Sequence, residues 1–162
     1  MSSSWEPFGS TRRLAEGAAR DVAGPAARQP DARSEFASSP SPRTMPREPS
    51  RKLVVITCMD GRIDPLQILG LELGEANVLR NAGATITDDV LRSLQLSQSR
   101  LGTRRAVLIG HTNCAGYPSD AAAEAAVREG LSRIRAASAV PADFGLEGLM
   151  YDIAAGTVRP VS

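Results

Sequence analysis

The residues of this sequence best suited to chemistry are its two cysteines and its single histidine. Cys58 lies in the segment Cys-Met-Asp-Gly-Arg, and His111 and Cys114 lie further along the chain in the segment His-Thr-Asn-Cys. Two thiolates and one imidazole form a three-ligand zinc set that leaves the fourth position open, as catalytic zinc sites do. The three residues therefore predict one Zn²⁺ ion per chain.

Each of these residues also has a simpler interpretation. A cysteine is often a small buried residue with an inert thiol, and a histidine at the start of a loop can be held by hydrogen bonds alone. A redox pair of Cys58 and Cys114 is another alternative, although the Cys-x-x-Cys spacing of such proteins is missing. We favour metal binding because all three residues fall within two short motifs and the sequence holds no other Cys or His.

Asp60 and Arg62 follow the first cysteine and are separated by one glycine. They can form an ion pair, which on a protein surface contributes little to stability. Beside an open zinc position, the Asp60 carboxylate could instead hold a water by hydrogen bonding, or bind the zinc itself once released from Arg62. We therefore predict that Asp60 and Arg62 are catalytic, with the arginine holding the carboxylate in place.

Hydrophobic patterning predicts the strands that must position these residues. A continuous apolar run over 53–57 predicts a buried strand that leads into Cys58. A similar run over 105–110 predicts a strand that delivers His111 at its carboxyl end. Further strands are predicted over 76–80, over 145–153 and, as an antiparallel edge that tolerates proline, over 157–161.

Helices are predicted between these strands from capping signals and apolar spacing. The first runs from Pro65 to about Leu71 and ends near Gly74, the second runs from the Thr87 cap to Gly102, and the third runs from Ser119 or Asp120 to about Ser138. The alternation predicts an α/β fold with a mostly parallel four-stranded sheet, flanking helices and a possible antiparallel edge strand. Ligands of such sheets bind beyond the carboxyl ends of the strands, so the two motifs meet if the first and third strands are neighbours.

The N-terminal part of the chain differs in composition from the rest. Residues 1–50 are rich in Pro, Ser, Ala, Gly and Arg and are predicted to be a flexible or arm-like segment, within which 11–22 could form a short helix. A disordered tail and an arm that orders on a partner subunit both fit this composition. Residues 51–162 form the predicted zinc domain.

Charge and hydropathy exclude several classes of partner. The net charge is +1, which gives no electrostatic case for nucleic-acid binding. No apolar run approaches the ~20 residues that a membrane span requires. The N-terminus lacks the pattern of a secretory signal, and its acidic residues argue against a transit peptide. We expect a soluble cytoplasmic protein without nucleic-acid or membrane partners.

Three motifs together resemble those of the β-class carbonic anhydrases. That family carries Cys-x-Asp-x-Arg after its first strand, Arg-Asn-Ala-Gly after its second and His-x-x-Cys after its third. The corresponding segments here are Cys58–Arg62, Arg80–Gly83 and His111–Cys114. The resemblance is close over about 53–117 and continues more loosely through 145–153.

The resemblance implies roles for the motif residues and an activity for the protein. Cys58, His111 and Cys114 would be the zinc ligands, and Asp60 and Arg62 the dyad that governs access to the fourth zinc position. The implied reaction is the reversible hydration of carbon dioxide to bicarbonate and a proton. The resemblance also implies a homodimer or higher homo-oligomer, with the site in a narrow apolar cleft at the subunit boundary.

Two features depart from the family pattern. Ala115 stands where the family usually has glycine directly after the second ligand cysteine, and Tyr117 leads almost directly into the next predicted helix. Related chains have a longer segment there, which helps to wall the cleft. The short connection favours a second hypothesis, a non-catalytic zinc-binding dimeric relative. A third hypothesis is a hydrolase of a related heterocumulene, such as carbonyl sulfide or carbon disulfide, since such a reaction needs the same site.

Overall fold

A largely parallel β-sheet forms the centre of the computed structural model, which describes residues 44–161. Its strands are β1 Leu53–Cys58, β2 Ala76–Asn81, β3 Arg105–His111, β4 Gly145–Asp152 and β5 Thr157–Pro160. The strand order is β2-β1-β3-β4-β5, with parallel pairing throughout except between β4 and β5. The predicted α/β fold and the antiparallel edge strand are confirmed. The first and third strands are neighbours, which is the condition under which the two motifs meet.

The helices begin at the side-chain caps that the sequence predicts. Their bounds are α1 Pro65–Leu69, α2 Asp88–Leu101 and α3 Asp120–Ala136, and a 3-10 turn covers Ala82–Ala84. Asp64, Thr87 and Ser119 each accept a hydrogen bond from a backbone N–H in the first turn that follows. These bonds satisfy donors that a helix start otherwise leaves unpaired.

The first helix is shorter than predicted, because the nearer glycine ends it. Gly70 adopts a left-handed conformation (φ 60°, ψ 40°), and the N–H of Leu71 donates to the Leu66 carbonyl at 2.8 Å. This arrangement is the usual glycine termination of a helix. The prediction that the helix extends to about Leu71 and ends near Gly74 is therefore wrong: its last residue lies two positions earlier, and its terminating glycine lies about one turn earlier.

Other predicted ends differ by one or two residues, among them those of β4 and α3. The strand β4 stops at Asp152, whose carboxylate accepts hydrogen bonds from the N–H groups of Ala154 and Ala155 and so begins a turn. The helix α3 stops at Ala136, short of the predicted Ser138. Such end effects arise from local hydrogen bonds that apolar spacing does not encode.

The core divides between the two faces of the sheet. On one face, side chains of β1, β3 and β4 pack against α2 and α3, and the members of this cluster include Val54, Ile56, Leu94, Leu108, Val127, Ile134 and Met150. The other face holds Leu53, Val55, Val107, Ile109 and Leu149, against which Leu69 and Leu71 pack. Burial on both faces explains the continuous apolar runs of β1 and β3.

Glycines allow α3 to lie close to the sheet. A Cβ atom added at Gly148 in β4 would lie 2.7 Å from Leu131 Cδ1 and 3.0 Å from Val127 Cγ1. A Cβ atom at Gly110 in β3 would lie 2.6 Å from Val127 Cγ2. The α3–sheet contact therefore depends on the absence of side chains at these two positions. Gly110 also directly precedes His111, so this contact supports the end of the strand that carries the histidine.

The segment before β1 belongs only partly to the described structure. Residues 44–52 form turns, and the N–H groups of Ser50 and Arg51 donate to the carbonyls of Gly74 and Glu75. The predicted helix 11–22 and most of the predicted arm fall outside the described residues. Within 44–161, no helix has both the length and the apolar character needed to cross a bilayer.

We predict that Gly148→Ala lowers the free energy of unfolding by about 1–3 kcal/mol, the usual cost of overpacking a core. Leu131 and Val127 would have to move, since both lie within 3.0 Å of the added atom. The measurement is urea denaturation followed by circular dichroism. Gly61→Ala is the matched control, because nothing lies within 4 Å of its added Cβ, and its change should stay within about 0.5 kcal/mol. Equal stabilities for the two variants would contradict the packing argument.

Candidate metal centre

The two motifs meet at the carboxyl edge of the sheet. Cys58 ends β1, His111 ends β3, and Cys114 lies in the loop that follows. One ligand atom from each residue lies within 4.8 Å of the other two, and all three residues are buried. The three predicted ligands, which are distant in sequence, therefore form a single group that could hold a metal ion.

The separation of the two sulfur atoms suits a shared metal ion. Cys58 Sγ and Cys114 Sγ are 4.0 Å apart, and both cysteines are free. Two sulfurs bound to one tetrahedral zinc at ≈ 2.3 Å would lie about 3.8 Å apart. A disulfide would instead require about 2.05 Å. The separation of the two sulfurs is therefore close to that of a pair bound to one tetrahedral zinc ion.

The imidazole of His111 has one nitrogen, Nε2, that is available to bind a metal together with the two cysteines. Its Nδ1 atom lies 2.9 Å from the Thr112 carbonyl oxygen, which can only accept, so Nδ1 carries the proton. The other nitrogen, Nε2, is buried and has no hydrogen-bond partner in the described part of the chain. Buried polar atoms are rarely left unpaired, and this nitrogen has the protonation state that a metal ligand needs. The residues present thus fit the zinc ion that the resemblance implies.

Burial makes the thiols poor anions unless positive charge is near. Desolvation raises the pKa of the Cys114 thiol, and the neighbouring Cys58 thiol raises it further. A divalent cation between the sulfurs would reverse this preference, because a coordinating thiol is deprotonated. The burial and proximity of the two thiols thus favour the binding of a cation between them.

Asp60 and Arg62 form the ion pair that the sequence predicts. Arg62 Nε donates to Asp60 Oδ1 at 2.9 Å, Arg62 Nη2 donates to Asp60 Oδ2 at 2.7 Å, and the Arg62 backbone N–H donates to Oδ1 at 3.0 Å. The side-chain bonds, followed by the backbone bond, hold the pKa of the Asp60 carboxyl well below its usual range. Asp60 is therefore an anion with a fixed orientation beside Cys58.

Sequence reasoning missed the role of Asn113. Arg62 Nη1 donates to Asn113 Oδ1 at 3.2 Å, and Arg62 Nη2 donates to the Asn113 carbonyl at 3.0 Å. Asn113 has φ 54°, a conformation that asparagine tolerates better than most residues, and its N–H donates to Asp120 Oδ1 at 2.7 Å. Arg62 thus links the loop of Cys58 to the loop of Cys114. The only sequence signal was an asparagine inside the His-x-x-Cys segment.

The short connection after Cys114 places an aromatic ring beside the group. Tyr117 packs against the cluster of Cys58, Ile63 and Cys114, and its hydroxyl donates to the Gly83 carbonyl at 3.0 Å. Gly83 has φ +68°, and a Cβ atom there would lie 2.9 Å from the Tyr117 ring. Tyr117 therefore closes one side of the group by contact with the 3-10 turn.

Comparison with known proteins identifies the family. A family model described as carbonic anhydrase matches residues 53–143. β-Carbonic anhydrase 1 of Mycobacterium tuberculosis is 35% identical over 144 residues, an alignment that covers 73% of this chain and 86% of that protein. The chain belongs to the β-carbonic anhydrase family. The alignment of 144 positions is longer than the 73% of this 162-residue chain that it covers. It therefore includes residues of the relative that have no counterpart in this chain.

Two further comparisons bear on fold and substrate. The crystal structure of carbonic anhydrase from Streptococcus mutans superposes with a TM-score of 0.74 and 30% identity, covering 88% of this chain and 98% of that one. A carbon disulfide hydrolase from Acidianus sp. is 42% identical over 65 residues, which is 40% of this chain and 32% of that protein. The family fold is thus shared along nearly all of a solved relative, while the second likeness is confined to a shorter stretch.

We predict that Arg62→Gln raises the pKa of Asp60 in the metal-free protein towards the ordinary aspartate value of ≈ 3.9. The substitution removes the two side-chain hydrogen bonds that stabilise the carboxylate. Carboxyl ¹³C NMR between pH 3.5 and 7 should show Asp60 beginning to titrate in the variant and remaining ionised in the wild type. Arg92→Gln, which removes the exposed partner of Asp89, should leave Asp60 unchanged. An Asp60 that stays ionised throughout in Arg62→Gln would contradict the assigned cause.

Proposed function

We propose that this family member catalyses the zinc-dependent reversible hydration of carbon dioxide to bicarbonate and a proton. Membership of the β-carbonic anhydrase family implies a lyase of this kind. The observation that carries the proposal is the convergence of Cys58, His111 and Cys114, whose ligand atoms lie within 4.8 Å of one another. Three protein ligands leave one position open, which is the arrangement of catalytic zinc sites.

In this proposal, one Zn²⁺ per chain is held by the two thiolates and by His111 Nε2. A zinc ion so bound supplies Lewis acidity and lowers the pKa of its water to ≈ 7. Thr112 fixes the imidazole through its carbonyl, so that Nε2 remains the free nitrogen. The Tyr117 ring covers part of the group and limits the access of bulk water.

Asp60 and Arg62 are proposed to position the reacting water. Arg62 donates to Asp60 Oδ1 through both its Nε and its backbone N–H, and to Oδ2 through Nη2 alone, so Oδ2 keeps a lone pair for one further hydrogen bond. Asp60 would accept that bond from water at the open position, which orients the water's remaining lone pair towards carbon dioxide. Arg62 would also keep the Asp60 carboxylate from binding the metal itself, because the bonds from Arg62 to Asn113 hold the guanidinium in place.

The proton released by the reaction must leave without a histidine relay in this chain. His111 is the only histidine in the sequence, and in this proposal its free nitrogen is committed to zinc. Proton transfer therefore runs through water to external buffer. We further propose that the protein is a homodimer or higher homo-oligomer, as the family resemblance implies. Its charge and hydropathy support a location in the cytoplasm and no nucleic-acid or membrane partner.

Two alternatives each have a specific observation in their favour. Likeness to a carbon disulfide hydrolase, 42% identical over 65 residues, favours a hydrolase of carbon disulfide or of a related heterocumulene such as carbonyl sulfide. The short connection between Cys114 and α3 favours a non-catalytic zinc-binding dimeric relative. Both alternatives share the metal group with the leading proposal, so only turnover separates them.

Stopped-flow carbon dioxide hydration by the zinc-loaded full chain tests the proposal, together with zinc content from mass spectrometry. We expect one zinc per chain and measurable hydration in the wild type. Cys58→Ser should lose both. Asp60→Asn should keep its zinc while hydration falls by about 10- to 100-fold, the usual effect of removing a group that supports a metal site.

Asp89→Asn is the matched control, because Asp89 is exposed and pairs with Arg92 on α2; its hydration rate should equal that of the wild type. Full zinc occupancy without hydration of carbon dioxide would refute the proposal. Consumption of carbon disulfide or carbonyl sulfide by that same sample would then assign the hydrolase, and no turnover of either would assign the non-catalytic relative.

A further inference from the structure

Arg80 holds the backbone of the loop that begins at Cys58. It lies near the end of β2, which pairs with β1. Its Nε donates to the Cys58 carbonyl at 3.0 Å, and its Nη2 donates to the Asp60 carbonyl at 2.7 Å. One guanidinium thus binds the backbone carbonyl of Cys58, a predicted metal ligand, and the backbone carbonyl of Asp60, a predicted catalytic residue.

A third hydrogen bond from the same strand end completes this attachment. The N–H of Met59 donates to the Asn81 carbonyl at 2.8 Å. Three consecutive residues, 58 to 60, are therefore bound through their backbones to the neighbouring pair Arg80 and Asn81. The loop leaves the sheet at this point, and the arginine replaces the hydrogen bonds that a continuing strand would have supplied.

Side-chain packing does little to fix Met59 and Gly61, the residues on either side of Asp60. The Met59 side chain is 66% exposed, and a Cβ atom added at Gly61 would meet nothing within 4 Å. The bonds to Arg80 and Asn81 therefore restrain the backbone of Cys58 and Asp60, while Arg62 restrains the Asp60 side chain. A shift of this backbone would move Cys58 Sγ away from Cys114 Sγ and His111 Nε2.

Arginine is suited to this task in a way that lysine is not. Its planar guanidinium presents several donors in a rigid fork, so one side chain can bind two carbonyls at fixed positions. Hydrogen bonds from a charged donor are also stronger than those between neutral groups. A lysine ammonium is a compact charge on a flexible stem and would fix the two carbonyls less firmly.

We propose that Arg80 is a positioning residue that holds segment 58–60 in its metal-binding geometry and thereby slows release of the metal. The proposal rests on the proposed zinc site. It adds that the edge strand β2, which contributes no ligand, controls how tightly the ion is kept. Removing a group that orients metal ligands typically costs 10- to 100-fold in metal affinity or activity.

The test is the rate of zinc release from the zinc-loaded full chain into excess chromogenic chelator. Arg80→Gln should release zinc about 10- to 100-fold faster than the wild type, and Arg80→Lys should be intermediate. The absorption bands of the cobalt-loaded protein, which report the geometry of the thiolate ligands, should change in Arg80→Gln. Arg51→Gln is the matched control, since Arg51 is an exposed arginine paired with Glu75 before the opposite end of β1.

Unchanged zinc release and cobalt bands in Arg80→Gln would overturn the inference, even if the variant melts at a lower temperature. An equal acceleration in Arg51→Gln would also overturn it, because the effect would then be a general loss of stability. If Arg80→Gln does not fold, Arg80→Lys carries the test, and release at the wild-type rate would count against the proposal. Failure of the proposed function would give a different result, because the wild-type protein itself would then bind no zinc or would not hydrate carbon dioxide.

Discussion

The parallel pairing of β1 with β3 is the constraint on which the rest of the structure depends. It aligns Thr57 with Ile109, so that Cys58 and His111 emerge side by side at one edge of the sheet. The buried hydroxyl of Thr57 also donates to the Ile109 carbonyl at 3.0 Å, one residue before Cys58 and two residues before His111. A register slip of one residue would turn every side chain of a strand to the opposite face and separate the donor atoms.

Burial of Cys58, His111 and Cys114 makes thiolates at the two cysteines unfavourable unless positive charge lies near them. Two sulfur atoms lie 4.0 Å apart, and His111 Nε2 has no partner among the described residues. Arg62 neutralises Asp60, and Arg80 adds a second guanidinium at the backbone of the same loop. Two thiolates at this distance would repel each other, and a divalent cation held by the three ligand atoms would stabilise them.

Much of the fold and of the ligand group follows from the sequence because the relevant signals are local. The apolar runs before Cys58 and His111 fix two buried strands, and the caps at Thr87 and Ser119 fix two helix starts. The end of α1 was predicted wrongly, because two glycines were available and the pattern does not say which one adopts the left-handed conformation. Because ligands bind beyond the carboxyl ends of parallel strands, the two motifs were expected to meet if β1 and β3 were neighbours, and the strand order satisfies that condition.

The supporting residues could not be predicted in the same way. Asn113 contacts Arg62 across 51 residues of sequence, and Arg80 contacts Cys58 across 22. These bonds depend on the angle at which each loop leaves the sheet, and apolar spacing carries no information on that angle. Arg80 was noticed only as part of a motif shared with a family, without a role, and Asn113 was not singled out at all.

The most direct test of this account is X-ray absorption at the zinc edge of the zinc-loaded full chain. The account predicts two sulfur neighbours at ≈ 2.3 Å, with the remaining nitrogen and oxygen neighbours at about 2.0–2.1 Å. A first shell with fewer than two sulfurs, or with only nitrogen and oxygen, would show that Cys58 and Cys114 do not share one ion and would contradict it.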